Sequence, residues 1–484
     1  MSAASPIPLP TTTAVPPSIV PARSLNGVPV PAGEIFAVAT EYVEAGRLDA
    51  AERMLSHILV VAPSQSDALH LKGLIAFRRH KIGDAALLME RSIAEGGIKS
   101  THYRNLSEVY RLQVRLDEAL VAARRAVALD PADPLGPFNL AMVHYDRLEI
   151  DACIAAARHA VDLRPSLPQA HMKLGQANLL VGNLAVGWEE YEWRYQIPGA
   201  QPLMPKTDRP QWDGTPKGAG ERVMLIGDQG FGDVIMFARY VHWVRARCAE
   251  VSMACSPEMR SILGLMFPEL QLFCRWDEAP PYVAFCPLSG LPRLHGTRVE
   301  NIPCDVPYLR ADPVRSQLWR QRLESLVPPG LKRIAIAWAG RPTHNNDINR
   351  TITLDTLAPI AALHGIALIS VQKGPATAQC AGYTGRAPLI NLDAQIGDFE
   401  DTMAVLDHVD LLVTVDTSVG HFAGAMGRLA WIMIPYAPDW RWLLNRSDTP
   451  WYPSVRLFRH PQPRRWDLVV PEVAVALQRF VAEP

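Results

Sequence analysis

The chain lacks a charge imbalance, a cysteine framework and a long apolar run. Lysine and arginine number 48 against 49 acidic residues, for a net charge of −1. No basic face therefore recruits nucleic acid, and short runs such as Arg78-Arg79 and Arg464-Arg465 read as solvated surface. The seven cysteines, at 153, 248, 255, 274, 286, 304 and 380, include no CxxC pair and no zinc-type Cys/His spacing. An odd number of scattered thiols fits a reduced, cytoplasmic setting. No basic segment followed by an apolar stretch marks a signal peptide. No apolar run approaches ~18 residues, so no membrane span is expected. What the chain does have is 48% apolar residues over a length of 484, enough for two or three domains.

Residues 1–31 hold eight prolines among Ser, Thr, Ala and Val and read as a disordered tail. A repeat follows. Ala51, Ala85, Ala119 and Cys153 are each 34 apart, and Pro63, Gly97, Pro131 and Pro165 keep the same spacing. Twelve residues before each Ala or Cys stand Ala39, Gly73, Ser107 and Ala141, with Gly175 next in line. Small residues at fixed places let paired helices approach closely, and a proline stops the second helix. This pattern resembles the tetratricopeptide repeat. Repeats are expected near 32–65, 66–99, 100–133 and 134–167, with a partial one from 168 to about 197. Asn105 and Asn139 share one repeat position. Asparagine is a poor helix-interior residue, so its recurrence points either to amide hydrogen bonds with an extended peptide or to two solvated side chains. The peptide reading resembles the asparagine ladder of peptide-binding repeat domains, including that of O-GlcNAc transferases.

Residues 198–220 read as a linker, after the aromatic segment GWEEYEWRY (187–195), which is expected to pack the last repeat against the next domain. From 221 on, short β-rich runs (RVMLI, EVSMAC, YVAFC, RIAIAW, IALISV, LLVTV, AWIMI) alternate with helical stretches, the mark of parallel sheets covered by helices. VPPGLK (327–332) divides them into halves 221–326 and 327–484, two Rossmann-like units with a cleft at the strands' carboxyl ends.

Three stretches carry candidate chemistry. In GDQGFGDVIMFARY, Gly227, Gly230 and Gly232 permit a tight turn, but the spacing GxxGxG is not that of a dinucleotide fingerprint. Asp233 opens the next helix, where it is either a general base or an acidic residue favoured by the helix dipole; Asp228 is a weaker candidate. The loop from Arg341 to Arg350 packs His344, Asn345, Asn346, Asp347 and Asn349 between two arginines, and is either a solvated loop or a phosphate site. LISVQKG delivers Gln372 and Lys373 at a strand end, where a lysine can neutralise a leaving diphosphate. In VTVDTSVGHFAGAMG a strand ends at Asp416, Thr417 and Ser418 offer caps, and His421 falls in the first turn of a small-residue helix. That helix N-terminus is a ready anion site; the alternative is a capped, tightly packed helix with a core histidine.

DTSVGHFAGAMG together with GDQGFGDVIMFARY resembles the heptosyltransferase-like glycosyltransferases (glycosyltransferase family 9 type). APDWRWLLNRSDTPWYPSVRLFR (437–459) resembles the C-terminal block of bacterial proteins that fuse tetratricopeptide repeats to such a domain. The resemblance implies an α-helical tetratricopeptide-repeat superhelix followed by an α/β GT-B domain of two Rossmann-like halves, with the acceptor on the first and a nucleotide-sugar donor on the second. It implies that Asp416, Thr417, Ser418 and His421 match a donor-diphosphate motif, that Lys373 matches a lysine near the phosphates, and that Asp233 matches the proposed base; Gln372, Arg350 and Asn349 are expected to bind the donor from their own places in the sequence. Gly230 and Gly232 form the glycine turn, and Asn105 and Asn139 would bind the acceptor. The expected reaction is an inverting, metal-independent transfer without a cofactor, the nucleotide-sugar being co-substrate. DFED (398–401) opens a helix rather than forming a metal motif. Heptosyltransferases lack repeats, so a protein acceptor recruited by the stack is expected, as in the flagellin glycosyltransferases that this pairing resembles. Transfer to an envelope saccharide or lipid and a non-catalytic scaffold are the alternatives.

Overall fold

The computed structural model describes residues 19–23, 29–198, 204–344 and 346–482. Within the proline-rich segment, strand β1 (Ile19–Arg23) pairs antiparallel with β2 (Pro29–Pro31); the remainder of the expected tail, 1–18 and 24–28, lies outside the described residues. Contacts divide the chain into two compact units, meeting between Ala177 and Asn178.

The first unit is a tetratricopeptide stack. Its helix pairs are α1 (Ala32–Glu44) with α2 (Leu48–Val61), α3 (Ser66–Arg78) with α4 (Ile82–Ala94), α5 (Ser100–Leu112) with α6 (Leu116–Leu129), and α7 (Leu135–Asp146) with α8 (Ile150–Leu163). Helix α9 (Pro168–Leu180) crosses the division between the units, and α10 (Leu184–Tyr191) lies in the second. The recurring small residues are buried where the two helices of a pair touch. A Cβ on Gly73 would stand 2.8 Å from Met89 Cγ, and the Ser107 hydroxyl donates to the Ala119 carbonyl at 2.9 Å. Gly97 replaces the periodic proline because its surroundings admit no side chain: a Cβ would lie 2.5 Å from His102 Nδ1.

The second unit, from Asn178 on, holds two wholly parallel sheets. The first has β3 (Val223–Ile226), β4 (Val251–Ala254), β5 (Gln271–Phe273) and β6 (Ala284–Pro287) in the order β5-β4-β3-β6. The second has β7 (Lys332–Ala337), β8 (Ile366–Ser370), β9 (Leu389–Asn391), β10 (Leu411–Val415), β11 (Ala430–Ile434) and β12 (Val455–Arg459) in the order β12-β11-β10-β7-β8-β9. Strand order reverses between β3 and β6 in one sheet and between β7 and β10 in the other, and such switch points open crevices at the strands' carboxyl ends. Strands β3, β6 and β10 are buried along their whole length, as expected of parallel strands covered on both faces.

Three segments depart from the sequence reading. The aromatic segment, read as part of the last repeat, falls in this second unit, where it packs on the α/β elements as expected: Trp188 lies edge-on against Phe237 and Trp440, at 6.4 and 5.1 Å between ring centroids. The segment read as a linker carries Trp212, which is buried and donates its amide to Phe285 O at 2.7 Å. Helix Pro313–Leu326, which precedes VPPGLK, hydrogen-bonds to the second half through Arg315 to Asp398 at 2.7 Å and Trp319 to Asp401 at 3.0 Å. No helix among the described residues is long and apolar enough to cross a membrane.

Candidate functional site

The glycine loop after β3 and the joint after β10 meet. A Cβ on Gly232 would lie 2.6 Å from His421 Cδ2, so only glycine lets helix Phe231–Ala238 of the first half seat against helix Ser418–Ala425 of the second. His421 is buried, its Nδ1 2.9 Å from the Tyr452 hydroxyl. Burial, followed by the nearby Arg441 charge, drives its pKa down to about 3, so the ring is neutral. Phe231, Phe399 and Phe422 continue the seam, with successive ring centroids 4.9 Å apart.

Asp233 sits in the first turn of its helix and accepts the Gly230 N–H at 3.0 Å through Oδ2, so the dipole-and-cap role is present. Its other oxygen pairs with Arg441, 208 residues away in sequence. Arg441 also donates to Asp439 at 2.6 Å. Burial raises the pKa of Asp233 and Arg441 pulls against that rise, leaving it above the ordinary carboxylate value. Burial also acts on Asp439, but there Arg441 prevails and holds the pKa low. Neither Arg441 nor Asp439 was singled out from sequence; the only signal is that both lie in APDWRW, at the start of the block whose resemblance was noted.

At the second joint, Asp416 follows β10, and burial, with the Asp439 charge, raises its pKa. Thr417 is the N-cap residue, yet its side chain does not cap the helix; its hydroxyl lies 3.2 Å from that of Thr414. The expected capping is thus replaced by a bond back to the strand, and Ser418 becomes the first helical residue. Arg350 donates to the Asp416 carbonyl at 2.9 Å and pairs with Asp347 at 3.3 Å, tying the loop after β7 to this joint across the switch point. Burial, with Arg350 beside it, lowers the pKa of His344 to about 4. Asn345 lies outside the described residues.

Other expected site residues are engaged elsewhere. Gln372 is buried with its amide saturated: Oε1 accepts from Trp338 N and Ala339 N at 2.9 Å, and Nε2 donates to Ala339 O and Lys373 O at 3.0 and 2.9 Å. It fixes the strand-end loop and has no donor left for a ligand. Lys373 donates to Ile396 O at 3.0 Å and pairs with Asp393 at 2.9 Å. It follows β8, two strands from β10, and its side chain is half exposed. Asn349 donates to Asn346 at 2.7 Å. Asp228 is buried, accepting from Ser289 N at 3.1 Å and from the Tyr195 hydroxyl at 2.9 Å, which anchors the glycine loop beneath Asp233.

In the repeats, Asn105 and Asn139 are buried and reach back one repeat. Asn105 Nδ2 lies 2.9 Å from His70 Nε2, and Asn139 Nδ2 donates to Arg104 O at 3.2 Å. Lys173, 34 residues beyond Asn139, does likewise, its ammonium 3.9 Å from the centre of the Tyr145 ring. This ladder stitches repeats together; the expected outward amides are turned inward because the position faces the preceding first helix. A cavity of about 450 Å³ lies between α4, α5 and α6, lined by Ile93, Tyr103, Leu106, Tyr110 and Val121 together with Glu90. Among the described residues no group of three or more His, Cys, Asp or Glu side chains is placed to hold a metal ion.

Residues 36–100 and 70–134 match the tetratricopeptide repeat profile. The α/β unit is reached by a relative: the chain is 26% identical over 351 residues to Protein FlbA of Caulobacter vibrioides, covering 65% of this chain and 56% of that protein. The chain thus spans little more than half the length of that relative. Among solved structures, MamA is 18% identical, covering 36% of this chain and 98% of its own, with a TM-score of 0.31. YrrB, described as a tetratricopeptide protein with an unusual peptide-binding site, is 17% identical, covering 34% and 84%, with a TM-score of 0.30. PilF of Pseudomonas aeruginosa is 16% identical, covering 35% and 77%, with a TM-score of 0.33.

Proposed function

We propose that the chain is a GT-B glycosyltransferase that moves a sugar from a nucleotide-sugar to a protein hydroxyl recruited by the repeats. The observation that carries the proposal is the meeting of Asp233 with the Asp416–His421 joint, through Gly232 against His421 and Arg441 on Asp233. Two switch-point crevices thereby become one site, an acidic group on one side and a helix N-terminus on the other. An acceptor hydroxyl gives its proton to Asp233, whose raised pKa suits a base. Its oxygen attacks the anomeric carbon as the bond to the diphosphate breaks. The first-turn N–H groups of helix Ser418–Ala425 and Arg350 receive the departing charge. Gln372 and Lys373 act as scaffold. The resemblance to repeat-fused transferases makes flagellin one acceptor to test.

The test is donor turnover by the full chain, read as nucleoside diphosphate release with candidate acceptors. Asp233→Asn is expected to lower turnover about 100-fold or more while the fold persists. Turnover equal to wild type would overturn the base assignment. A non-catalytic reading is favoured by one feature, the engagement of both Asp233 oxygens. It predicts nucleotide-sugar binding without release for any acceptor.

A further inference from the structure

Two thiols that are 19 residues apart in sequence are brought side by side at the carboxyl edge of the first sheet. Strand β4 pairs with β5 in the register Ser252 to Gln271, Met253 to Leu272 and Ala254 to Phe273. The next pair is Cys255 with Cys274, and the ladder still holds there: Cys255 N donates to Phe273 O at 3.0 Å. Neighbouring strands stand about 4.8 Å apart, inside the roughly 4.4–6.8 Å Cα separation that a disulfide spans. Ala254 and Phe273 both enter one apolar cluster, so by alternation both cysteines lie on the opposite face. Cys255 is buried and Cys274 partly exposed. The Cys255 thiol donates to Phe273 O, the carbonyl just before Cys274, at 3.8 Å. No other two cysteines among the described residues are register partners.

We propose that Cys255 and Cys274 form a reversible dithiol–disulfide site. The accessible Cys274 reacts first, because burial pushes the Cys255 thiol up to about 12 and only a thiolate attacks. The Cys274 thiolate attacks one sulfur of a low-molecular-weight disulfide, forming a mixed disulfide and expelling one thiolate. Cys255 then loses its proton to solvent, attacks the Cys274 sulfur and expels the second thiolate. Two electrons pass from the protein thiols to the small disulfide, and the two protons released reprotonate the two expelled thiolates. The bridge lies one residue from Ala254, whose carbonyl accepts the Gly227 N–H at 2.9 Å and so anchors the glycine loop. Its effect on turnover through that loop rests on the proposed function; the bridge itself does not.

The experiment equilibrates the full chain with glutathione disulfide and reads intact mass and non-reducing peptide maps, with Cys304→Ser/Cys380→Ser as background. The expected product is lighter by two hydrogens, joins the Cys255 and Cys274 peptides, and reverts with dithiothreitol. Cys274→Ser, at a partly exposed site, should abolish the bridge, and Cys255→Ser should stop at a glutathionyl adduct on Cys274. A wild-type chain that keeps the adduct on Cys274, or keeps both thiols free under conditions that oxidise Cys304 in the native sequence, overturns the proposal. Because the readout is mass, a bridge that forms without changing turnover would count against its coupling to the glycine loop and not against the site, and a bridge in a chain with no turnover would count against the proposed function alone.

Discussion

In the repeat stack, polar partners sit about one repeat apart in sequence; in the α/β unit, the decisive pair spans most of it. Asn105 reaches His70, Asn139 reaches Arg104 and Arg111 reaches Asp146, each 35 residues away. Arg441 reaches Asp233 over 208. The difference follows from how each unit is built. A stacked repeat touches only its neighbours, so one period governs every contact. A parallel sheet brings loops together by strand order, which reverses at the switch points and follows no spacing.

The largest expected effect falls on the long-range pair. Arg441→Met leaves Asp233 and Asp439 without their shared cation and should cost about 3 kcal/mol in denaturant unfolding. Asp233→Asn/Arg441→Met should recover part of that loss, and strict additivity of the two changes would break the pairing argument. Gly232→Ala tests the seam directly: its methyl enters the His421 ring, and a loss of about 2 kcal/mol is expected, read as a shifted thermal midpoint. A neutral result would mean that the two helices do not touch as described.

The buried histidine gives a pH signature. The folded-state pKa of His421, about 3, lies below the ordinary histidine value. Its stabilising contribution is therefore complete above about pH 6.5 and is lost as pH falls toward 3, with a limiting slope of about 1.4 kcal/mol per pH unit. Asp233 and Asp416, raised by burial, act in the opposite direction. The difference between wild type and His421→Gln across that window isolates the histidine; identical pH profiles would place the ring in contact with solvent. The smallest effect is expected in the stack. Asn139→Ala should cost about 1 kcal/mol by removing one inter-repeat hydrogen bond, measured by urea unfolding. Unchanged stability together with weakened acceptor binding would restore the outward, ligand-holding role of the asparagines.

Legibility from sequence tracks the same contrast. The helix pairs fell where the 34-residue spacing put them, since small residues must recur where helices approach. The strands β3, β4, β6, β7, β8, β10 and β11 were legible as β-rich runs, whereas β5, β9 and β12 were not; the short β5 and β9 carry exposed or half-exposed residues and β12 exposes Arg456. At the site, Asp233, Asp416 and His421 were read from their places at strand ends and helix starts. Gln372 and Lys373 occupied equally suggestive places, and only their saturated hydrogen bonds tell them apart.

The sequence by itself determined the repeat period, the alternation of strand and helix, and which short loops carry polar groups, because these depend on local spacing and conformational preference. Tertiary structure alone decided which loops face each other. It set His421 against Gly232, Arg441 on Asp233, the asparagines inward and Cys255 beside Cys274. The physical reason is that strand order and register, which no local pattern encodes, fix the distance between residues far apart in the chain.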